Sequence, residues 1–163
     1  GYPLAAIVGR ENIMHAYDPE SEGTDEFIPQ IGTLSGNPIA ATAGLATLRE
    51  LRKPGTYERL FAMGHQLHEG LGNLLQQAEL PAQIIGEDVV FNVVFSDRPI
   101  KDYRSSLDSN KEFQATFNRV LMEEGILRGS DKFYMSLAHD QQDLERTLEA
   151  ASRAIDAVRA LPL

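Results

Sequence analysis

Gly32-Thr33-Leu34-Ser35-Gly36-Asn37-Pro38 is a polar, glycine-rich loop that runs straight into an apolar, small-residue stretch. Asn37 is suited to cap a helix, because its side-chain oxygen accepts from the orphan N–H groups of a first turn. Pro38 suits the first helical position, where its fixed φ is already helical and its missing N–H costs nothing. The run Ile39 to Arg52 is dominated by Ala, Leu, Arg and Glu, all strong helix formers. Loop and helix together predict a helix over 38–52 behind a loop able to hold an anion, since free N–H groups and the helix dipole both favour negative charge there. The competing interpretation is a plain capped turn. The spacing matches neither a Walker loop nor a dinucleotide fingerprint. It is Gly-x-x-Ser-Gly and not Gly-x-Ser-x-Gly, so it is not a nucleophile elbow.

Outward from the loop, Leu4 to Val8 is a short apolar run that predicts a buried strand. Arg10 to Ala16 predicts a short helix, and 17–30, with five acidic residues, Pro19 and Gly23, a long loop. Past Arg52, the step Lys53-Pro54-Gly55 stops the helix and marks a domain boundary. Thr56 is placed to cap a second helix, whose Leu60, Leu67, Leu71, Leu74 and Leu75 recur at helical spacing. Ala82–Ile85 and Val89–Phe95 then predict two strands around Gly86-Glu87-Asp88. Ser109 with Glu112 forms a capping-box pattern before a helix that Gly125 closes. Ile126–Arg128 and Phe133–Leu137 predict two more strands, and Asp140 the cap of a last helix. Helix, two strands, helix, two strands, helix predicts helices layered on a small, mostly antiparallel sheet.

The 163 residues carry a formal charge of −9, and 42% are apolar. That acidity argues against nucleic acid or an anionic membrane as partner. No cysteine is present, so disulfides and thiolate metal sites are excluded and a cytoplasmic location is the default. No apolar run approaches the length of a membrane span.

His65 and His68 lie three apart on the second helix and predict a solvated face. His139, just before the Asp140 cap, is expected to brace the turn. Arg128, followed by Ser130, Asp131 and Lys132, stands out because a guanidinium can clamp a carboxylate in a bidentate fork. A hairpin turn is the plainer alternative there.

The segment Gly1-Tyr2-Pro3-Leu4-Ala5-Ala6-Ile7-Val8-Gly9-Arg10 with Ile13-Met14, then Gly32 to Pro38 and the small-residue helix, resembles the class III aminotransferases. These are pyridoxal 5'-phosphate (PLP) enzymes of fold type I. The chain is most similar to the glutamate-1-semialdehyde aminomutase branch, also through Phe133-Tyr134-Met135-Ser136-Leu137-Ala138-His139 and Asp143-Leu144-Glu145-Arg146-Thr147-Leu148. The resemblance covers nearly the whole chain. It implies an α/β architecture: residues 1–52 as the C-terminal tail of a large PLP-binding domain, with an interface loop and inter-domain helix, and 53–163 as a small α+β domain. It implies a homodimer with PLP at the subunit interface, Gly32 and Thr33 binding the cofactor phosphate of the neighbouring subunit, and Arg128 meeting the substrate. It also implies that the lysine bonded to PLP lies in an N-terminal remainder, upstream of Gly1. None of Lys53, Lys101, Lys111 and Lys132 sits in that motif, so no catalytic residue is assigned within the chain, and no metal is implied.

The activity implied is amino transfer between an amino acid or amine and a keto acid or aldehyde. Asp131-Lys132-Phe133-Tyr134 departs from the Glu-Ala-Gly-Phe-like stretch of the aminomutases, which favours an aminotransferase over intramolecular transfer. A non-catalytic acidic α+β interaction domain is the alternative from a different class.

Overall fold

The computed structural model describes residues 2–129 and 132–162. The chain divides into two compact units, Gly1–Lys53 and Pro54–Leu163.

The first unit is held mainly by local structure. Helix α1 (Glu11–Met14) runs into a 3-10 turn at His15–Tyr17, and a second 3-10 turn spans Pro19–Ser21. The Ile28 N–H donates to the Ala16 carbonyl at 2.8 Å and closes the acidic loop at its base. Helix α2 (Pro38–Leu51) starts as the sequence predicts. Asn37 Oδ1 accepts from the N–H groups of Ile39 and Ala40, both at 3.0 Å. The expected strand at residues 4–8 does not form. Its apolar pattern is genuine, but a strand needs a ladder partner, and among the described residues none pairs with it. Leu4 lies instead against α2. A Cβ on Gly44 would come within 2.1 Å of its Cδ2, so a larger residue there would have to push the Leu4 side chain aside.

The second unit carries the core. Helix α3 (Thr56–Gln77) is followed by a hairpin of β1 (Ala82–Glu87) and β2 (Val90–Phe95). The two are antiparallel, in register from Ala82 opposite Phe95 to Glu87 opposite Val90. Gly86 has φ +128°, and a Cβ there would lie 2.4 Å from the Val90 carbonyl oxygen, so geometry and space both demand glycine. Next come α4 (Tyr103–Ser106), α5 (Lys111–Glu123), β3 (Phe133–Tyr134) and α6 (Gln141–Arg159). Strand β3 pairs antiparallel with the Val90 end of β2, giving the order β1-β2-β3. Phe91, Val93 and Phe95 alternate onto one face and are buried against Leu67, Leu71 and Leu75 of α3, Phe113, Phe117 and Leu121 of α5, and Leu144, Ile155 and Val158 of α6. The fold is thus helices packed on a small antiparallel sheet.

Four local expectations shift. Gly55, at φ +80°, is the N-cap of α3, and Thr56 is its first helical residue. Asn110, not Ser109, caps α5. Its N–H donates to the Phe95 carbonyl at 2.8 Å, which fixes Asn110 beside the end of β2 and brings its Oδ1 to the N–H groups of Glu112 and Phe113. Ser109 donates its hydroxyl to the Ser106 carbonyl instead. Residues 126–128 form no strand. The Ile126 and Gly125 N–H groups return to the Leu121 and Met122 carbonyls in a Schellman closure, which spends this segment's start on ending α5. The expected strand 133–137 contracts to two residues, after which the Met135 N–H still reaches the Val89 carbonyl at 2.9 Å.

Candidate functional site

Two hollows hold the residues that the sequence singles out, one in each unit. In the first unit, two successive turns build the loop: the Ser35 N–H donates to the Gly32 carbonyl at 2.9 Å, and the Asn37 N–H to the Leu34 carbonyl at 3.1 Å. Gly36 at φ +70° permits the second turn. A Cβ on Gly32 would sit 2.7 Å from Ser35 Oγ, so the bare backbone keeps that space open beside the hydroxyl. The loop, with Pro3, Leu4, Met14, Tyr17 and Gln30, borders a cavity of about 680 Å³.

Its chemistry suits an anion. In an acidic chain, no carboxylate lines this hollow among the described residues. Among the described residues, neither the Thr33 hydroxyl nor its N–H has a hydrogen-bond partner. The source of the donors differs from expectation. The first free N–H groups of α2 are already taken by Asn37, so the helix end offers little to a ligand. The loop itself offers the hydroxyls of Thr33 and Ser35 and the Thr33 amide. These are neutral donors of the kind that hold phosphate oxygens, and a phosphate ester fits them.

In the second unit, Arg128 borders a smaller cavity of about 140 Å³ with Lys132, Tyr134, His139 and apolar side chains from α3 and α6. Its guanidinium stands over the Phe133 ring at 4.5 Å and near the Phe117 ring at 5.8 Å, and Nη2 donates to Asn92 Oδ1 at 3.3 Å. The aromatic seats and Asn92 were not legible from spacing, since they come from α5, β3 and β2. Ser130 and Asp131, expected to flank Arg128 in a turn, lie outside the described residues.

His139 braces its turn as predicted: Nδ1 accepts from the Ser136 N–H at 3.1 Å. His65 and His68 do more than sit in solvent. Their Nδ1 atoms reach the two oxygens of Asp88 at 3.3 and 2.9 Å, and the His68 ring stacks on Phe91. A Cβ on Gly64 would be 2.2 Å from the Asp88 carbonyl, which explains how the hairpin tip comes close enough. Among the described residues, no group of three or more ligating side chains is arranged for a metal ion. No described helix is long and apolar enough to cross a membrane.

A family model described as "Aminotransferase class-III" matches residues 1–155. The glutamate-1-semialdehyde 2,1-aminomutase of Desulfosudis oleivorans is 38% identical over 154 residues, covering 93% of this chain and 35% of that protein. Among solved structures, an omega-transaminase from Sphaerobacter thermophilus superposes with a TM-score of 0.79 at 30% identity, over 93% of this chain and 35% of its own. A structure titled "Transaminase with PLP bound" superposes with a TM-score of 0.74 at 25% identity, over 93% and 34%. The chain therefore spans about a third of the length of the relatives it matches. With 155 of its 163 residues inside the family model, the chain belongs to the class-III aminotransferases.

Proposed function

We propose that this chain is part of a PLP-dependent aminotransferase that moves an amino group between an amino acid or amine and a keto acid or aldehyde. The whole enzyme would be a cytoplasmic homodimer, with PLP at the subunit interface and the lysine that bonds it elsewhere in the polypeptide. Residues 1–52 would belong to the large PLP-binding domain and 53–163 to the small domain. The observation that carries this is the Thr33 loop: unmatched hydroxyl and amide donors at the rim of a cavity free of carboxylates.

PLP, when bound, supplies an electron sink for the bond broken at the amino-bearing carbon. This chain would do the anchoring. Thr33, through hydroxyl and N–H, and Gly32, through its open backbone, would donate to or admit the phosphate. The lining is neutral, so the balancing cation must come from another element. Arg128 would orient a substrate carboxylate, which sets both the position and the class of the amino donor.

The assay is a screen of amino donors against keto acceptors with the full-length polypeptide, together with Thr33→Ala. The substitution removes a hydrogen bond to a charged group, worth roughly 1.5–3 kcal/mol. PLP affinity should fall by that amount while the melting temperature of the cofactor-free protein stays put. Unchanged cofactor affinity would refute the role given to Thr33.

The names of the relatives favour a second activity, glutamate-1-semialdehyde 2,1-aminomutase. It would return the substrate with its amino group moved from C2 to C1 and need no external acceptor. Product formed from glutamate 1-semialdehyde alone, with no turnover of other donor–acceptor pairs, would decide for it.

A further inference from the structure

We propose that Ser35 is a second hydroxyl anchor for the cofactor phosphate, and that Gly32 lacks a side chain so that the Ser35 hydroxyl has room to serve. The proposal rests on the reading of the Thr33 loop given above. The unit Gly1–Lys53 holds six serines and threonines: Ser21, Thr24, Thr33, Ser35, Thr42 and Thr47. Four of them spend their hydroxyls within the unit. Ser21 and Thr24 donate to the His15 and Ser21 carbonyls at 3.4 and 2.8 Å. Thr42 and Thr47, at exposed positions of α2, donate to the Pro38 and Ala43 carbonyls at 2.7 and 3.0 Å. Exposure alone therefore does not leave a hydroxyl idle here. Thr33 and Ser35 are the two whose hydroxyls have no partner among the described residues, and both border the same hollow.

The turn explains how two residues so placed can serve one ligand. The Ser35 N–H donates to the Gly32 carbonyl at 2.9 Å and folds Gly32 to Ser35 into a single turn. That turn carries Ser35 Oγ to 2.7 Å from the place a Gly32 Cβ would take. Gly32 is not among the glycines with positive φ, so its backbone conformation is open to other residues and only the space is at issue. The next atom beyond that Oγ is Ser35 Cβ, at an ordinary 3.9 Å. The missing side chain thus makes room for the hydroxyl and for no other neighbour. Thr33 follows directly, with its free N–H, so both hydroxyls flank the Gly32–Thr33 peptide. A phosphate ester presents three strong acceptor oxygens. Thr33 supplies one hydroxyl and one amide donor, and Ser35 is the remaining side-chain donor of the loop, because Asn37 is committed to capping α2.

The test uses the full-length polypeptide freed of cofactor and titrated with PLP or with pyridoxal, which has the same ring and no phosphate. Ser35→Ala should weaken PLP binding about tenfold, as the loss of one hydrogen bond to a charged group does. It should leave pyridoxal binding and the melting temperature of the cofactor-free protein near wild type. Gly32→Ala should weaken PLP binding comparably, by crowding the Ser35 hydroxyl, and should add little when combined with Ser35→Ala. Thr33→Ala, measured alongside, separates this proposal from the reading beneath it. If Thr33→Ala weakens PLP binding and Ser35→Ala does not, Ser35 is no anchor and the role of Thr33 stands. If neither substitution weakens it, the phosphate is not held by this loop and both fall. Equal losses for PLP and pyridoxal in Ser35→Ala would mark a structural effect and overturn the proposal. A full Gly32→Ala loss in both backgrounds would show that Gly32 acts without Ser35 and overturn the link between them.

Discussion

The two units solve the problem of apolar surface in opposite ways. In Pro54–Leu163, sixteen buried residues from three helices and the sheet form one cluster. In Gly1–Lys53, only Ala40 and Ser21 are buried among the described residues, while Ile7, Val8, Ile31, Leu34, Ile39, Leu45 and Leu48 stay more than half exposed. Both sequences are rich in aliphatic residues, so composition does not separate them. What separates them is whether facing elements exist within the same unit. The second has a sheet for α3, α5 and α6 to cover, whereas the first has one long helix and loops. So many exposed aliphatic side chains in one short unit are what a segment belonging to a larger domain is expected to carry.

The largest expected effect breaks or sustains this contrast directly. Leu71, fully buried in α3, should cost about 2–5 kcal/mol when replaced by Ala, through lost burial and the cavity left behind. Ile31→Ala, at a position 87% exposed, should stay within about 0.5 kcal/mol in this chain. In the full-length polypeptide the Ile31 cost should climb toward that of a buried residue. Denaturant unfolding of both variants in both contexts reads this out. An Ile31→Ala cost that stays negligible in the longer protein would mean that nothing covers the patch.

A smaller effect concerns the loop of the first unit, which relies on hydrogen bonds where the second relies on core. Asn37→Ala removes the acceptor for two N–H groups of α2 and should cost about 1 kcal/mol. The freed N–H groups would then face the loop. Hydrogen exchange at Ile39 and Ala40 should accelerate while exchange in α6 does not change. Equal change in both helices would mean that the units are not independent in stability.

These contrasts also explain what the sequence discloses. Helix α2 with its Asn37 cap, α6 with Asp140, the β1–β2 hairpin and the Gly125 closure are legible because their signals are local: caps, periodicity, glycines at turns. Misplacements occur where a distant group decides. Phe95 selects Asn110 over Ser109 as a cap, and the absence of a ladder partner leaves 4–8 and 126–128 irregular despite apolar runs. At the candidate sites, Thr33 and Gly32 are visible as a loop. Their hollow is not, because Pro3, Tyr17 and Gln30 come to it from separate turns. Asn92 meets Arg128 across 36 positions, and Asp88 meets His65 and His68 across 23 and 20, separations that spacing rules do not reach; Phe117 and Phe133 are nearer to Arg128 in sequence but sit on other elements. Family resemblance adds the role of the Thr33 loop, which residue chemistry alone leaves as an anion site or a capped turn.

The smallest effect tests local capping in the second unit, at a helix the sequence did not announce. Asp102 caps α4 in a capping box with Ser105. The Ser105 N–H, at 2.8 Å, and then its hydroxyl, at 2.9 Å, donate to Asp102 Oδ1 and hold the carboxyl below its ordinary range. A carboxylate depressed in the folded state contributes stability above its unfolded pKa and loses it as pH falls through the folded value. Asp102→Asn keeps an acceptor but removes the titration. The difference in melting temperature between wild type and this variant should therefore be largest near neutral pH and shrink below the ordinary carboxylate range. The carboxyl is fully solvent-exposed, so the difference should be small, far under that of Leu71→Ala, and reduced further by salt. A difference that is flat with pH would show that Ser105 serves the turn through geometry alone. One that grows on acidification would reverse the sign and remove the charged form of Asp102 from the account of α4.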